Sequence, residues 1–246
     1  MIKAILFDFN QTLIHSPEWM ALETRALPRA AFSLLHHSGH FPRITDAQLS
    51  IAEHVFRNAR KTANTTNRET SHVTDLQNMI ESLDLGLTVP KTIVSKTVDS
   101  LHRDCISTVH LLPHTKRTIE DLDALGIRMG IISNAAYGPF LRWTLDHFGL
   151  LEFFEDVVIS AEVRIRKPAL EIFQSTLHRM RLTPNDAVYI GDDFQKDIVP
   201  SKKLGMRAIW RKPAIGLSVP ETGTTADAVI TNNKEIPALA KKWILS

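Results

Sequence analysis

Short apolar runs recur at wide intervals along the chain, and several end abruptly in polar residues. Lys3-Ala4-Ile5-Leu6-Phe7 runs into Asp8, and Met129-Gly130-Ile131-Ile132 into Ser133-Asn134. Ala187-Val188-Tyr189-Ile190 runs into Gly191-Asp192-Asp193, and further runs are Val157–Ile159, Ala208–Trp210 and Ala228–Ile230. A run that is apolar at successive positions, rather than alternate ones, suits a parallel strand covered on both faces. Between the runs the spacing changes to that of helices. Ile119, Leu122 and Leu125 step by three and stop at Gly126, a helix-ending signal. Ile172, Phe173, Leu177 and Met180 share one helical face, and Gly205 closes the helix following Asp197. Strand and helix in alternation predict an α/β fold with a doubly wound parallel sheet and right-handed crossovers.

From about His15 to His110 that rhythm is broken, and only helical patterns occur. Leu49, Ala52, Phe56, Ala59 and Ala63 make one stripe, and Val73, Leu76, Ile80 and Leu83 a second. Val94, Val98, Leu101 and Cys105 make a third, started by Pro90, while Trp19 to Leu35 reads as a helix broken near Pro28. The expected organisation is therefore a core of residues 1–14 and 111–246 with a helical cap, 15–110, inserted into it. Crossings near Ile14–Pro17 and Val109–Pro113 are its expected hinges.

Composition narrows the function classes. With 43% hydrophobic and 23% charged residues in 246, the chain is of ordinary globular character. Its net charge of +2 is dispersed, so neither nucleic acid nor membrane is an expected partner. The 11 histidines are scattered without zinc-site spacing and are expected mostly at the surface or in the cap. Cys105, the only cysteine, excludes an intramolecular disulfide and reads as a core residue. The N-terminal residues show no charged-then-apolar pattern, and no apolar run reaches the ~18 residues that span a bilayer. A cytoplasmic location is expected.

Ligands of open parallel sheets bind beyond the carboxyl ends of the strands. Asp8 and Asp192–Asp193 placed at one such edge would repel one another unless a cation sat among them, and Mg²⁺ suits a few carboxylates beside a phosphate. Taken singly the polar residues have plainer readings. Asp8 reads as a helix N-cap, Ser133 and Asn134 as turn formers, Lys167 as a solvated lysine and Asp197 as first-turn charge.

Four segments taken together, in order, resemble the haloacid dehalogenase-like hydrolase superfamily. They are Phe7-Asp8-Phe9-Asn10-Gln11-Thr12-Leu13, Ile131-Ile132-Ser133-Asn134, Arg166-Lys167-Pro168, and Tyr189-Ile190-Gly191-Asp192-Asp193 followed by Asp197. The helical insert is similar to the cap of the subgroup with phosphoglycolate phosphatase and β-phosphoglucomutase. The resemblance implies a Mg²⁺-dependent phosphatase acting on a small phosphorylated metabolite, with Asp8 as nucleophile through an aspartyl-phosphate. It implies Asp8, Asp192 and the main-chain carbonyl of Asn10 as metal ligands, with Asp193 and Asp197 holding the metal or its waters. Ser133, Asn134, Lys167 and Thr12 form the implied phosphate-binding set, although Thr12 alone reads equally as a turn cap. Trp19, His15 and Asn64-Thr65-Thr66-Asn67 are candidates for substrate selection, and each is equally readable as core or surface.

One departure from the family pattern bears on chemistry. Most phosphatases of this family carry an aspartate two residues after the nucleophile, as general acid and base, and this chain has Asn10. An amide donates a hydrogen bond but exchanges no proton near neutral pH. Asn10 thus implies slow turnover, an introduced block, or a phospholigand-binding protein impaired in catalysis. A dehalogenase-type hydrolase also lacks that aspartate, but needs no metal, and the three carboxylates Asp192, Asp193 and Asp197 argue against it. Gln11 replaces a usual glycine, a second and milder departure.

Overall fold

The computed structural model describes residues 2–212 and 226–244. The chain opens with β1 (Ala4–Phe7) and the short β2 (Ile14–His15). Helix α1 (Pro17–Ala21) passes through a π-helical turn, Leu22–Ala26, into α2 (Leu27–His37). Three longer helices follow: α3 (Asp46–Thr66), α4 (His72–Ser82) and α5 (Lys91–Ile106). Next come β3 (His110–Leu111), α6 (Thr115–Ala124), β4 (Arg128–Ser133) and α7 (Gly138–His147). The chain then forms β5 (Asp156–Ile159), α8 (Ser160–Val163), α9 (Leu170–Arg179) and β6 (Ala187–Gly191). A second π-helical turn, Phe194–Ile198, leads into α10 (Val199–Lys203) and β7 (Arg207–Arg211). Strand β8 (Ala228–Ile230) and α11 (Ile236–Ile244) complete the described elements.

Two compact units are present. One comprises 1–15, 110–134 and 145–246, and the other 16–109 and 135–144. The first is an α/β fold whose six strands lie in the order β5-β4-β1-β6-β7-β8, every neighbouring pair parallel. All four residues of β1 and all five of β6 are buried, as strands covered on both faces require. On one face Leu6, Ile132, Val158 and Tyr189 pack with Ile172, Phe173 and Leu177 of α9. The expected doubly wound sheet is therefore what the chain forms. Beyond β1, residues 14 and 15 pair antiparallel with 111 and 110, a two-stranded ribbon too short to register as a hydrophobic run.

The second unit is helical, and its stripes largely follow those read in the sequence, with polar and charged residues admitted to the buried faces. On α3 the buried positions are Leu49, Ala52, Phe56, Arg60 and Ala63, so a charged residue takes the place expected for Ala59. On α4 they are His72, Asp75, Leu76, Met79 and Ile80. Arg60 makes this possible. It donates at 2.8 Å to Glu69 and to Asp75, and also to the Thr70 hydroxyl. The expected break near Pro28 lies earlier, in the Leu22–Ala26 turn, and Pro28 sits in the first turn of α2, where its missing N–H costs nothing. Trp19 is fully buried and stacks on Phe140 at 4.8 Å, a packing role. Cys105 is buried as expected, and burial pushes its thiol up from 9.0 to about 11. No helix among the described residues is long and apolar enough to cross a membrane.

Candidate active site

The sheet of the first unit reverses its direction of winding between β1 and β6, since β1 leads on to β4 on one side and β6 to β7 on the other. Such a reversal opens a crevice at the strands' carboxyl ends. Asp8 lies at that edge, its N–H donating to the Ile190 carbonyl at 2.8 Å. Ser133 ends β4, and Asp192 directly follows β6. Lys167 arrives from the loop before α9.

Lys167 organises the centre. Its ammonium donates to Asp8 Oδ1 at 2.6 Å, to Asp197 Oδ1 at 2.7 Å and to the Tyr189 hydroxyl at 2.8 Å. Burial disfavours the charge, but Asp197 and Asp8 outweigh it and hold Lys167 protonated well above the usual lysine range. Asn134 holds Lys167 in place. Its side-chain amide donates to the Lys167 carbonyl at 2.9 Å and its carbonyl oxygen accepts the Lys167 N–H at 2.8 Å. Both ends of the Asn134 amide are thus engaged by the Lys167 backbone.

Oxygens of Asp8, Asp192 and Asp197 lie within 4.8 Å of one another. Burial, reinforced by the charges of Asp8 and Asp197, pushes Asp192 from 3.8 up to about 8. Burial likewise raises Asp197 to about 6, against the pull of Lys167. One ammonium does not balance three carboxylates, and an all-oxygen donor set with surplus negative charge fits a hard divalent cation. A further acceptor, Asn10 Oδ1, is buried with no hydrogen-bond partner. The fit of these residues to such an ion is thus good.

Local sequence explains the tight geometry. A Cβ built on Gly191 would stand 2.3 Å from Asp197 Oδ2, so only glycine permits that carboxylate to approach β6. Asp193 stays outside the cluster. It caps the following turn by accepting from the Gln195 and Lys196 N–H groups at 3.0 Å, and it pairs with the Lys196 ammonium. Thr12 Oγ1 donates to Asp8 Oδ2 at 3.3 Å, which ties it to the Asp8 carboxylate. Ser133 is buried at 2% exposure.

Several contributors escaped the sequence reading. Gln11 has φ of 62°, a left-handed conformation in which glycine is unstrained. Its carbonyl accepts from Arg211 Nη1 at 2.8 Å, and its amide nitrogen lies 2.8 Å from His15 Nδ1. Arg211 also donates to Asn233 at 3.0 Å, and Asn233 donates to the Thr12 carbonyl at 3.0 Å and to Thr115 at 2.8 Å. Arg211 and Asn233 thus latch the loop carrying Asn10. They sit some two hundred residues from it, with no local pattern to betray them. Tyr189 was read only as a strand residue, yet its hydroxyl lies among the charged groups.

A sequence profile described as haloacid dehalogenase-like hydrolase matches residues 44–211. Glyceraldehyde 3-phosphate phosphatase from Methanocaldococcus jannaschii is 32% identical over 212 residues, covering 84% of this chain and 83% of its own. Among solved structures, a phosphatase from Thermococcus onnurineus is similar with a TM-score of 0.64 at 24% identity, covering 97% of this chain and 98% of its own. A 2-haloacid dehalogenase from Pseudomonas syringae reaches a TM-score of 0.75 at 20% identity, covering 99% and 100%. At those identities the structural likeness concerns the fold.

Proposed function

This chain belongs to the haloacid dehalogenase-like hydrolase family, as an enzyme of its phosphatase branch, and on that premise we propose that it hydrolyses a small phosphorylated sugar using Mg²⁺. The observation that carries this reading is the cluster of buried Asp8 and Asp197 with half-buried Asp192, the first two bonded to Lys167. Three-carbon sugar phosphates are the first class to examine, because relatives covering most of this chain are named glyceraldehyde 3-phosphate phosphatases. Asp8, Asp192 and the carbonyl of Asn10 would hold the metal, with Asp197 beside them. When bound, Mg²⁺ supplies the positive charge that lets an anionic phosphate come close to an anionic nucleophile.

The residues themselves divide the chemistry as follows. A carboxylate oxygen of Asp8 attacks phosphorus, the bond from phosphorus to the sugar oxygen breaks, and an aspartyl-phosphate is left. Lys167, fixed by Asn134 and 2.6 Å from Asp8 Oδ1, neutralises charge on the transferring group. Ser133 and Thr12 stand at the same edge to donate to phosphoryl oxygens. The departing alkoxide needs a proton, and the water that later cleaves the aspartyl-phosphate must lose one. Asn10 can do neither, so both transfers fall to solvent and turnover is slow. The buried, unpartnered oxygen of Asn10 can still accept a hydrogen bond and orient that water.

The test is phosphate release from a panel of sugar phosphates with Mg²⁺ and again with excess chelator. Release from a three-carbon substrate that stops on chelation is the expected result. Chloride or fluoride release from haloacids, persisting under chelation, would replace this reading with dehalogenation.

A further inference from the structure

The helical unit contains a second group of possible ligands that plays no part in the chemistry above. Glu23 lies in the π-helical turn Leu22–Ala26, His72 begins α4 and His102 lies on α5. Each offers one ligand atom within 4.8 Å of the other two. Both rings are fully buried, whereas the Glu23 side chain keeps 10% exposure, which leaves an edge for entry. We propose that Glu23, His72 and His102 form a binding site for a borderline transition-metal ion, with zinc as its representative.

The proton arrangement favours a cation there. His102 Nδ1 sits 2.8 Å from the Val98 carbonyl and must carry its hydrogen there, which leaves Nε2 as a lone pair. That lone pair faces Nδ1 of His72 at 3.2 Å. Where His72 carries its hydrogen on Nε2, its Nδ1 is a second lone pair 3.2 Å from the first; where it carries it on Nδ1, Nε2 is left buried without a hydrogen-bond partner, 4.0 Å from the Glu23 carboxylate. Two acceptors then confront each other in a dry interior, an arrangement that costs free energy until a positive charge intervenes. A proton is a poor candidate. Burial, then the neighbouring ring, then Arg60 hold His72 well below the ordinary histidine range, and burial takes His102 to about 4.

Geometry and chemistry suit zinc better than magnesium. Ligands at the ~2.0–2.2 Å bonds of tetrahedral zinc stand roughly 3.3 Å apart, close to the spacing of the two rings. The Val98 carbonyl already supplies the outer hydrogen bond that usually fixes a metal-bound histidine. Two imidazoles and one carboxylate select a softer ion than the all-oxygen set of the α/β unit. Glu23 is also anchored, since both its oxygens accept from the Ala136 N–H at 3.0 and 3.2 Å. A π-turn places it, a distortion often found at functional positions. A bound ion would staple three segments of the helical unit, at residues 23, 72 and 102.

The experiment is titration of the full chain with Co²⁺, a visible-absorbing stand-in for zinc, in saturating Mg²⁺ after chelator stripping. The expected result is visible d–d absorption saturating at one equivalent per chain, displaced by Zn²⁺, retained in Asp192→Asn and absent in His102→Leu. Because His102→Leu removes a core ring and can fail to fold, Glu23→Gln is measured beside it, with an expected affinity loss of about tenfold or more. Absence of the absorption in the folded wild-type chain would overturn the site and leave a neutral, hydrogen-bonded histidine pair. Unchanged Co²⁺ affinity in Glu23→Gln would overturn it equally.

Discussion

At the scale of single residues, the account turns on which groups carry protons and which carry fixed charge. Lys167 is surrounded by three oxygens at 2.6–2.8 Å, so Lys167→Met should cost about 10²–10³-fold in kcat, as loss of a preorganised charge does. The check is steady-state phosphate release, with circular dichroism to confirm folding. Gly191 is a backbone requirement for the close approach of Asp197 to β6. Gly191→Ala pushes Asp197 away from β6, and Mg²⁺ affinity by calorimetry should fall about 10–100-fold. Cys105 gives a pH-dependent readout. Its thiol is raised from 9.0 to about 11 in the fold, so between those values the folded chain keeps a proton that the unfolded chain has lost. The stability this proton confers is present below pH 9 and lost as pH rises toward 11. At pH 8 a thiol reagent should therefore label folded protein about 100-fold more slowly than denatured protein. Asp8 and Asp192 were legible in the sequence because strand ends advertise them. The bonds of Asn134 to the Lys167 backbone were not, since a turn-forming side chain after a strand looks the same whether it binds ligand or backbone.

At the scale of elements, the helical unit shows what periodicity conceals. On α4 the apolar stripe Val73, Leu76, Ile80 and Leu83 is readable, yet the buried face also includes His72 and Asp75. Hydrophobic spacing cannot anticipate that, because a polar residue is buried only when its partner comes from another helix. Arg60 is that partner for Asp75, and it serves Glu69 as well. Arg60→Met would strand two buried carboxylates, and chemical denaturation should show a loss of about 3–5 kcal/mol. Asp75 adds a pH signature. Burial raises its pKa from 3.8 to about 6 despite Arg60, so its contribution to stability is complete below pH 3.8 and disappears as pH rises through 6. Urea midpoints compared at pH 4, 5 and 6 should show this decline in the wild-type chain, and it should be shallower in Asp75→Asn, with Asp192 and Asp197 supplying the remainder. The six strands of the main sheet, by contrast, were read from the sequence to within a residue or two. A run apolar on both faces has few other places to go.

At the scale of the whole molecule, the sheet order explains why residues 8, 167, 192 and 197 meet at all. Winding outward in both directions from β1 and β6 brings distant loops to one edge, and the alternation of strands and helices sufficed to foresee that. The latch of Arg211 and Asn233 on the loop after Asp8 was not foreseeable, because it depends on where the last strands return. The same holds for His72 and His102, which only the fold brings together. In the proposed mechanism, turnover through an aspartyl-phosphate is held back at Asn10. The most direct test is the rate of phosphate release with Mg²⁺ from a three-carbon sugar phosphate, for the chain as it stands and for Asn10→Asp. Restoring a proton-exchanging group should raise kcat about 10²–10⁴-fold. An unchanged rate in a folded, metal-binding Asn10→Asp variant would contradict the account.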